Sequence, residues 1–188
     1  LSPLFSTADV TLDPDTANRY LILSEDGKQV RLGATRQDLP DNPERFDPVV
    51  SVLGRQGFTS GRHYWQVEVG EKNAWSLGVA RESTNRKGNI TLSPKNGYWT
   101  LWLRDGEYKA LADSSIPPPR LSVKPRMLGV YLDYDEGQVS FYNANTSSHI
   151  YTFTDTFTEK LYPYFSPYIN RDGKNAAPLI ILPVSDRD

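Results

Sequence analysis

The 188-residue chain holds only two histidines, His63 and His149, and no cysteine. The lack of cysteine excludes a disulfide scaffold, a thiol nucleophile and any thiolate-bound zinc. Each histidine opens a strand-like run, Gly61-Arg62-His63-Tyr64-Trp65 and Ser147-Ser148-His149-Ile150-Tyr151. That setting suits an imidazole hydrogen-bonded to backbone at a strand end, not a general base. No Gly-x-Ser-x-Gly elbow, His-Glu-x-x-His pair, Walker-type loop or Gly-x-Gly-x-x-Gly turn occurs. Gly54, Gly57 and Gly61 are spaced for turns. The acidic run Asp133-Tyr134-Asp135-Glu136-Gly137 has the composition of a calcium loop. Its glycine, however, is fifth where an EF-hand needs it sixth, and Ala144 stands where the bidentate glutamate belongs. A hairpin turn fits better. Asn89-Ile90-Thr91 and Asn145-Thr146-Ser147 match the glycosylation pattern and mark surface loops. No catalytic residue, metal or cofactor is expected, and the chain does not read as an enzyme.

Recognition chemistry is better represented. In Gly97-Tyr98-Trp99-Thr100-Leu101-Trp102-Leu103-Arg104-Asp105-Gly106, strand alternation sets Trp99, Leu101 and Leu103 on one face and Tyr98, Thr100, Trp102 and Arg104 on the other. The first set is apolar and belongs to a core. Trp102 then falls on a polar face, where a large aromatic is either a binding hot spot or is covered by a loop or by the N-terminal portion. Periodicity leaves both readings open. Glu82, Asn85, Arg86 and Lys87 form a second candidate, in a polar loop after the Trp75–Ala80 run. A third is Tyr164-Phe165-Ser166-Pro167-Tyr168-Ile169-Asn170-Arg171-Asp172-Gly173, where Tyr168 and Ile169 flank a polar turn.

The elements that must hold these residues are strands. Trp65, Val67 and Val69 alternate, as do Trp75, Leu77 and Val79, then Leu128, Val130, Leu132 and Tyr134, then Val139 and Phe141. Asp26-Gly27, Asn96-Gly97, Asp105-Gly106, Glu136-Gly137 and Asp172-Gly173 supply turn conformations between them. Leu21-Ile22-Leu23 with Val30-Arg31-Leu32, and Tyr131-Leu132 with Ser140-Phe141, are predicted hairpins. Only Asp13-Pro14-Asp15-Thr16-Ala17 reads as a helix start, with Asp13 as cap and Pro14 in the first turn. Short strands at regular spacing imply an antiparallel sandwich. Segments 36–48 and 112–126, rich in proline, read as ordered surface loops, and a seam lies near 48–56.

Length suits one domain with a proper core. A net charge of −2 argues against a nucleic-acid or anionic-membrane binder. No apolar run approaches the ~20 residues of a membrane span. The chain opens Leu1-Ser2-Pro3 and its only methionine is Met127, so a fragment of a larger protein is expected.

These segments together resemble a PRY-SPRY domain over nearly the whole chain. The PRY-like part is Val10-Thr11-Leu12-Asp13-Pro14-Asp15-Thr16-Ala17, Leu21-Ile22-Leu23-Ser24 and Glu44-Arg45-Phe46. The SPRY-like part is Val52-Leu53-Gly54, Gly57-Phe58-Thr59-Ser60-Gly61-Arg62-His63-Tyr64-Trp65-Gln66-Val67-Glu68-Val69-Gly70 and Trp75-Ser76-Leu77-Gly78-Val79. It continues as Leu128-Gly129-Val130-Tyr131-Leu132-Asp133-Tyr134-Asp135-Glu136-Gly137 and Val139-Ser140-Phe141-Tyr142-Asn143. The nearest likeness is to the C-terminal domains of tripartite-motif (TRIM) ubiquitin ligases, then to butyrophilin intracellular domains.

The resemblance implies an all-β fold: a bent antiparallel β-sandwich of the concanavalin-like jelly-roll type with short N-terminal helical turns. It divides into a PRY portion at 1–55 and a SPRY portion at 56–188 within one compact domain. It further implies a cytoplasmic protein-recognition module, monomeric as a fragment, that binds a protein substrate or peptide segment. Catalysis and coiled-coil dimerisation would belong to a RING, B-box and coiled coil outside this chain. Contacts of antibody-binding members carry over by motif to Glu82, Trp102, Arg104 and Ile169. Arg104 and Ile169 depart from that pattern, which has tryptophan and phenylalanine there. Two alternatives stand beside this reading. A butyrophilin-type sensor of small phosphorylated ligands would need Arg81, Arg86, Lys87 and Arg104 on one concave face. A lectin-like binder would stack sugars on Trp102 and Tyr98.

Overall fold

The computed structural model describes residues 6–114, 116–117, 119–170 and 172–184, so Leu1-Ser2-Pro3, Pro118 and Arg171 lie outside the described residues. Two sheets account for the strands. The larger runs β11 (Ser148–Thr154), β10 (Gln138–Asn143), β9 (Met127–Asp133), β5 (Arg62–Glu68), β13 (Leu179–Ile181), β3 (Gln29–Leu32) and β2 (Leu21–Leu23), with β1 (Ser6–Thr7) pairing parallel to β5. The smaller has the order β4 (Val52–Leu53), β12 (Leu161–Ser166), β6 (Trp75–Arg81), β7 (Tyr98–Arg104) and β8 (Glu107–Ala110). Its pairs are all antiparallel.

The predicted alternation is what joins the sheets. Trp65 lies opposite Val130 and Val67 opposite Leu128, while Phe141 also faces Val130. In the smaller sheet Trp75 pairs with Leu103, Leu77 with Leu101 and Val79 with Trp99. All are buried in one core cluster. Burial of each such side chain contributes roughly 1.5–3 kcal/mol. Both predicted hairpins form: Leu23 pairs with Val30, and Leu132 with Val139. Asp133 belongs to the second, where its Oδ1 accepts the Glu136 N–H at 3.1 Å. The two-residue turn Asp105-Gly106, with φ of 50° and 78°, closes β7 onto β8. Both central residues of that hairpin turn need positive φ.

Two expectations are corrected. Asp13-Pro14 starts no helix; residues 14–17 form a turn in which Asp13 Oδ1 accepts the Asp15 N–H and the Asp13 carbonyl accepts that of Thr16. Chain beyond this turn is drawn away because Thr16 caps the Leu53 N–H and Asn18 binds the Ser51 carbonyl. Among the described residues the helical segment is a single 3-10 turn, Pro94–Asn96, entered through Ser93 and closed by Gly97. Segment 36–48, expected as surface loop, sends Arg45 and Phe46 inward. Buried Arg45 donates to the carbonyls of Pro40, Pro14 and Ala17. Phe46 joins Leu53, Ala80, Tyr98 and Tyr164 in a second cluster.

Candidate functional site

The outer face of the smaller sheet explains where that second cluster sits. Pairing registers place Ser166, Ser76, Trp102 and Lys109 in one cross-strand row, Tyr164, Gly78 and Thr100 in the next, and Tyr162, Ala80 and Tyr98 in a third. Segment 40–48 covers the second and third rows: Phe46 meets Tyr164 of the second edge-on at 6.0 Å, Tyr164 meets Tyr98 of the third at 5.5 Å, and all three share the cluster. The first row stays open. It floors a groove of about 970 Å³ walled by Pro48–Val50, Ile90–Ser93, Leu111–Ser114 and Tyr168–Ile169. A groove of that size, apolar with a few polar groups, is the usual form of a ligand site.

Trp102, Arg104 and Tyr168 form a stack at one side of the groove. The Arg104 guanidinium carbon lies 4.4 Å from the Trp102 ring centre and 3.5 Å from that of Tyr168. Arg104 is held edge-on as well: Nη1 donates to the carbonyls of Trp75 and Leu103, and Nη2 to the Ser76 hydroxyl. Burial lowers its pKa from the ordinary value, opposed by the nearby Tyr168. On the neighbouring strand, Lys109 brings its ammonium to 5.9 Å from the Trp102 ring. Trp102 is thus half-buried, a platform fixed by its neighbours.

Tyr168, in the left-handed region at φ 56°, and Ile169 belong to a loop pinned by two buried polar residues. Asn175 Oδ1 accepts the N–H groups of Asn73 and Ala74. Its Nδ2 donates to the carbonyls of Ala74, Pro167 and Ile169. Lys72, 1% exposed, donates to the carbonyls of Asn175 at 2.9 Å and Ala177 at 2.8 Å. Burial pushes its ammonium down to a pKa of about 8. These bonds tie the loop to the β5–β6 turn, so the groove wall is preorganised.

The structure brings Trp102, Arg104, Tyr168 and Ile169 together in this groove, and places the other candidates elsewhere. Tyr98 is a correction. It is 1% exposed, its hydroxyl donates to the Asn85 carbonyl, and burial raises its pKa. It shares the parity of Trp102, but segment 40–48 covers it. Glu82, Arg86 and Lys87 line a separate cavity of about 450 Å³ with Asp13, Glu44 and Arg55. Glu82 is exposed there. Arg86 donates to the carbonyls of Glu44 and Glu82. Lys87 donates to Asp41 and to the Asn42 carbonyl, and Asp41 is correspondingly held below the usual carboxylate range. The two cations therefore bind loop to loop. Arg81 in turn faces Glu159 and the Lys95 carbonyl.

Several groove residues escaped the sequence reading: Lys95, Lys109, and the apolar Ile90, Leu92 and Ile116. The Ile90-Thr91-Leu92 pair of aliphatics inside a polar loop was the available signal. His63 is as expected, with Nε2 2.7 Å from the Ser60 carbonyl. His149 instead meets a side chain, the Thr152 hydroxyl.

Comparison with known proteins places this geometry in a family. The SPRY domain matches residues 62–179 and the SPRY-associated domain, PRY, residues 10–58. Nuclear factor 7, brain, of Xenopus laevis is 56% identical over 175 residues, 93% of this chain and 29% of that protein. Human erythroid membrane-associated protein is 55% identical, with 92% of this chain and 36% of that one covered. Mouse probable E3 ubiquitin-protein ligase TRIML1 is 51% identical, with 94% and 38% covered. The chain thus spans well under half the length of these relatives. The crystal structure of the TRIM65 PSpry domain superposes with a TM-score of 0.79 at 26% identity, covering 94% of this chain and 90% of that one. The two-sheet fold with its groove and these matches agree: the chain belongs to the SPRY family, as a PRY-SPRY domain like those of TRIM-like proteins, a protein-interaction module and not a catalytic domain.

Proposed function

We propose that this domain selects the substrate of a TRIM-type E3 ubiquitin ligase, acting in the cytoplasm in ubiquitination and in innate immune or regulatory signalling. The observation that carries the reading is Trp102, a half-buried tryptophan on the floor of a 970 Å³ groove and fixed by Arg104. Tryptophan, tyrosine and arginine dominate binding hot spots, and all three meet here. The ligase part of the proposal draws on the description of mouse TRIML1 as a probable E3 ubiquitin-protein ligase. In such a parent a RING transfers ubiquitin and a coiled coil dimerises, while this domain contributes specificity as a monomer.

The butyrophilin-like alternative requires converging cations. Of Arg81, Arg86, Lys87 and Arg104, only Arg104 lines the groove, and each binds internal acceptors. The lectin-like alternative loses Tyr98, whose ring is buried.

The experiment is affinity capture from cell lysate with wild-type domain and Trp102→Ala, read by mass spectrometry. Proteins captured only by wild type are then tested for degradation when the domain is fused to a heterologous RING. Capture unchanged by Trp102→Ala sinks the groove as the recognition surface. Capture without degradation sinks the ligase part.

A further inference from the structure

Two of the groove's three cations among the described residues differ from the third, Arg104. Lys95 and Lys109 line the groove and are exposed. Among the described residues neither ammonium has an ion pair, and neither donates a hydrogen bond; Lys109 has only the Trp102 face. By contrast, Arg81, Arg86, Lys87 and Arg104 all donate to carbonyls, carboxylates or a hydroxyl. Among the described residues the groove's one carboxylate is Asp113, which accepts the Lys95 backbone N–H at 2.9 Å. Lining charges among the described residues are therefore Lys95, Arg104 and Lys109 against Asp113, a local excess of cations on a chain whose net charge is −2. Between the lysines and the Tyr168–Ile169 loop the lining combines Trp102 and aliphatic side chains with the small Ser76 and Ser166.

We infer that the groove takes an extended segment of a partner protein carrying a large apolar side chain next to aspartate or glutamate. This inference rests on the reading of the groove as the recognition surface. The apolar side chain packs on Trp102 and Ile169, over the small floor residues Ser76 and Ser166. The neighbouring carboxylates meet Lys95 and Lys109 at the rim. Opposite charge across a rim sets register and speeds encounter, and exposed pairs are screened by salt. An apolar anchor with an acidic flank thus supplies partners to the two exposed groove lysines, whereas Arg104 is already bonded to the sheet.

The test is a phage-displayed library of random linear peptides panned on the wild-type domain, on Trp102→Ala, and on the double variant Lys95→Glu/Lys109→Glu. Melting temperatures confirm that the surface variants fold. Expected are peptides with Asp or Glu beside a large apolar residue, none retained by Trp102→Ala. Their affinity for the double reversal should fall about tenfold or more at low salt, with a smaller fall at high salt. Trp102-dependent peptides with no acidic enrichment, or with equal affinity for the double reversal, overturn the acidic-segment inference and leave the recognition reading standing. If no peptide depends on Trp102, or if inorganic pyrophosphate or anionic vesicles bind where peptides do not, both fail.

Discussion

The guanidinium carbon of Arg104 lies 3.5 Å from the centre of the Tyr168 ring, a contact between a strand and a loop 64 positions further along the chain. It joins the rigid sheet to the loop that walls the groove. Because Trp102 lies on the same guanidinium at 4.4 Å, one side chain sets the orientation of two aromatic surfaces.

Replacing Arg104 with methionine should therefore affect both stability and binding. The Trp75 carbonyl and the Ser76 hydroxyl would each lose a donor, at about 1–3 kcal/mol for a buried group left unpaired. Partner affinity should fall with it, since Trp102 and Tyr168 lose their common support. Arg104→Lys keeps the charge but not the planar fork, and should recover only part of either loss. Urea unfolding and binding to captured partner measure the two. Full recovery by lysine would show that charge alone matters.

The tryptophans divide by consequence. Trp99→Ala opens a cavity in the core and should cost about 3–5 kcal/mol. Trp102→Ala removes a half-buried ring and should cost about 1 kcal/mol of stability, yet ~2 kcal/mol or more of partner binding. Thermal melts and titrations separate these. Equal destabilisation by both would place Trp102 in the core.

How far strand alternation reaches is clear from β7. Trp99, Leu101 and Leu103 were legible as core and Trp102 as outward, because side-chain parity is a local property of the strand. Coverage of the outward face is not local. Tyr98 and Trp102 share that face, but Phe46, more than fifty positions upstream, buries the first and leaves the second open. The turn at Asp13-Pro14 does not continue as a helix for the same reason: Asp13 caps it locally, but Thr16 and Asn18 are drawn off to distant Leu53 and Ser51. Arg86 and Lys87 read as a recognition candidate in a polar loop, and their acceptors at Glu44 and Asp41 have no sequence signature. Lys72 carried no signal at all, since nothing beside it marks a lysine for burial.

Asn175 is a positioning residue in this picture. Its side chain satisfies five backbone groups around the Pro167–Asn175 loop. Asn175→Ala should raise amide exchange across 167–177 and weaken partner binding, although the side chain touches no partner. Asn175→Asp keeps the acceptor and loses the donors, so the Asn73 and Ala74 N–H groups stay protected while the Pro167 and Ile169 carbonyls are released. Exchange measured by mass spectrometry distinguishes these. Unchanged exchange in Asn175→Ala would remove the positioning role.

Lys72 predicts a pH dependence of known sign. Burial lowers its pKa from 10.5 to about 8 in the folded protein. Below pH 8 folded and unfolded chains both carry the proton, and the folded state bears the whole cost of a buried charge. Between about 8 and 10.5 the unfolded chain retains the proton that the folded one has released. The unfolded state then binds more protons, so this group makes stability rise with pH through that window. The neutral amine still has two N–H donors for the carbonyls of Asn175 and Ala177, so the loop stays anchored. Buried tyrosines such as Tyr98, whose pKa is raised, act oppositely as pH passes their ordinary value near 10, but equally in a Lys72→Met variant. Urea midpoints of wild type minus variant should therefore climb in favour of wild type from pH 8 upward. A flat difference across the window would mean that Lys72 titrates at its ordinary value, and that the loop is not anchored by a buried amine.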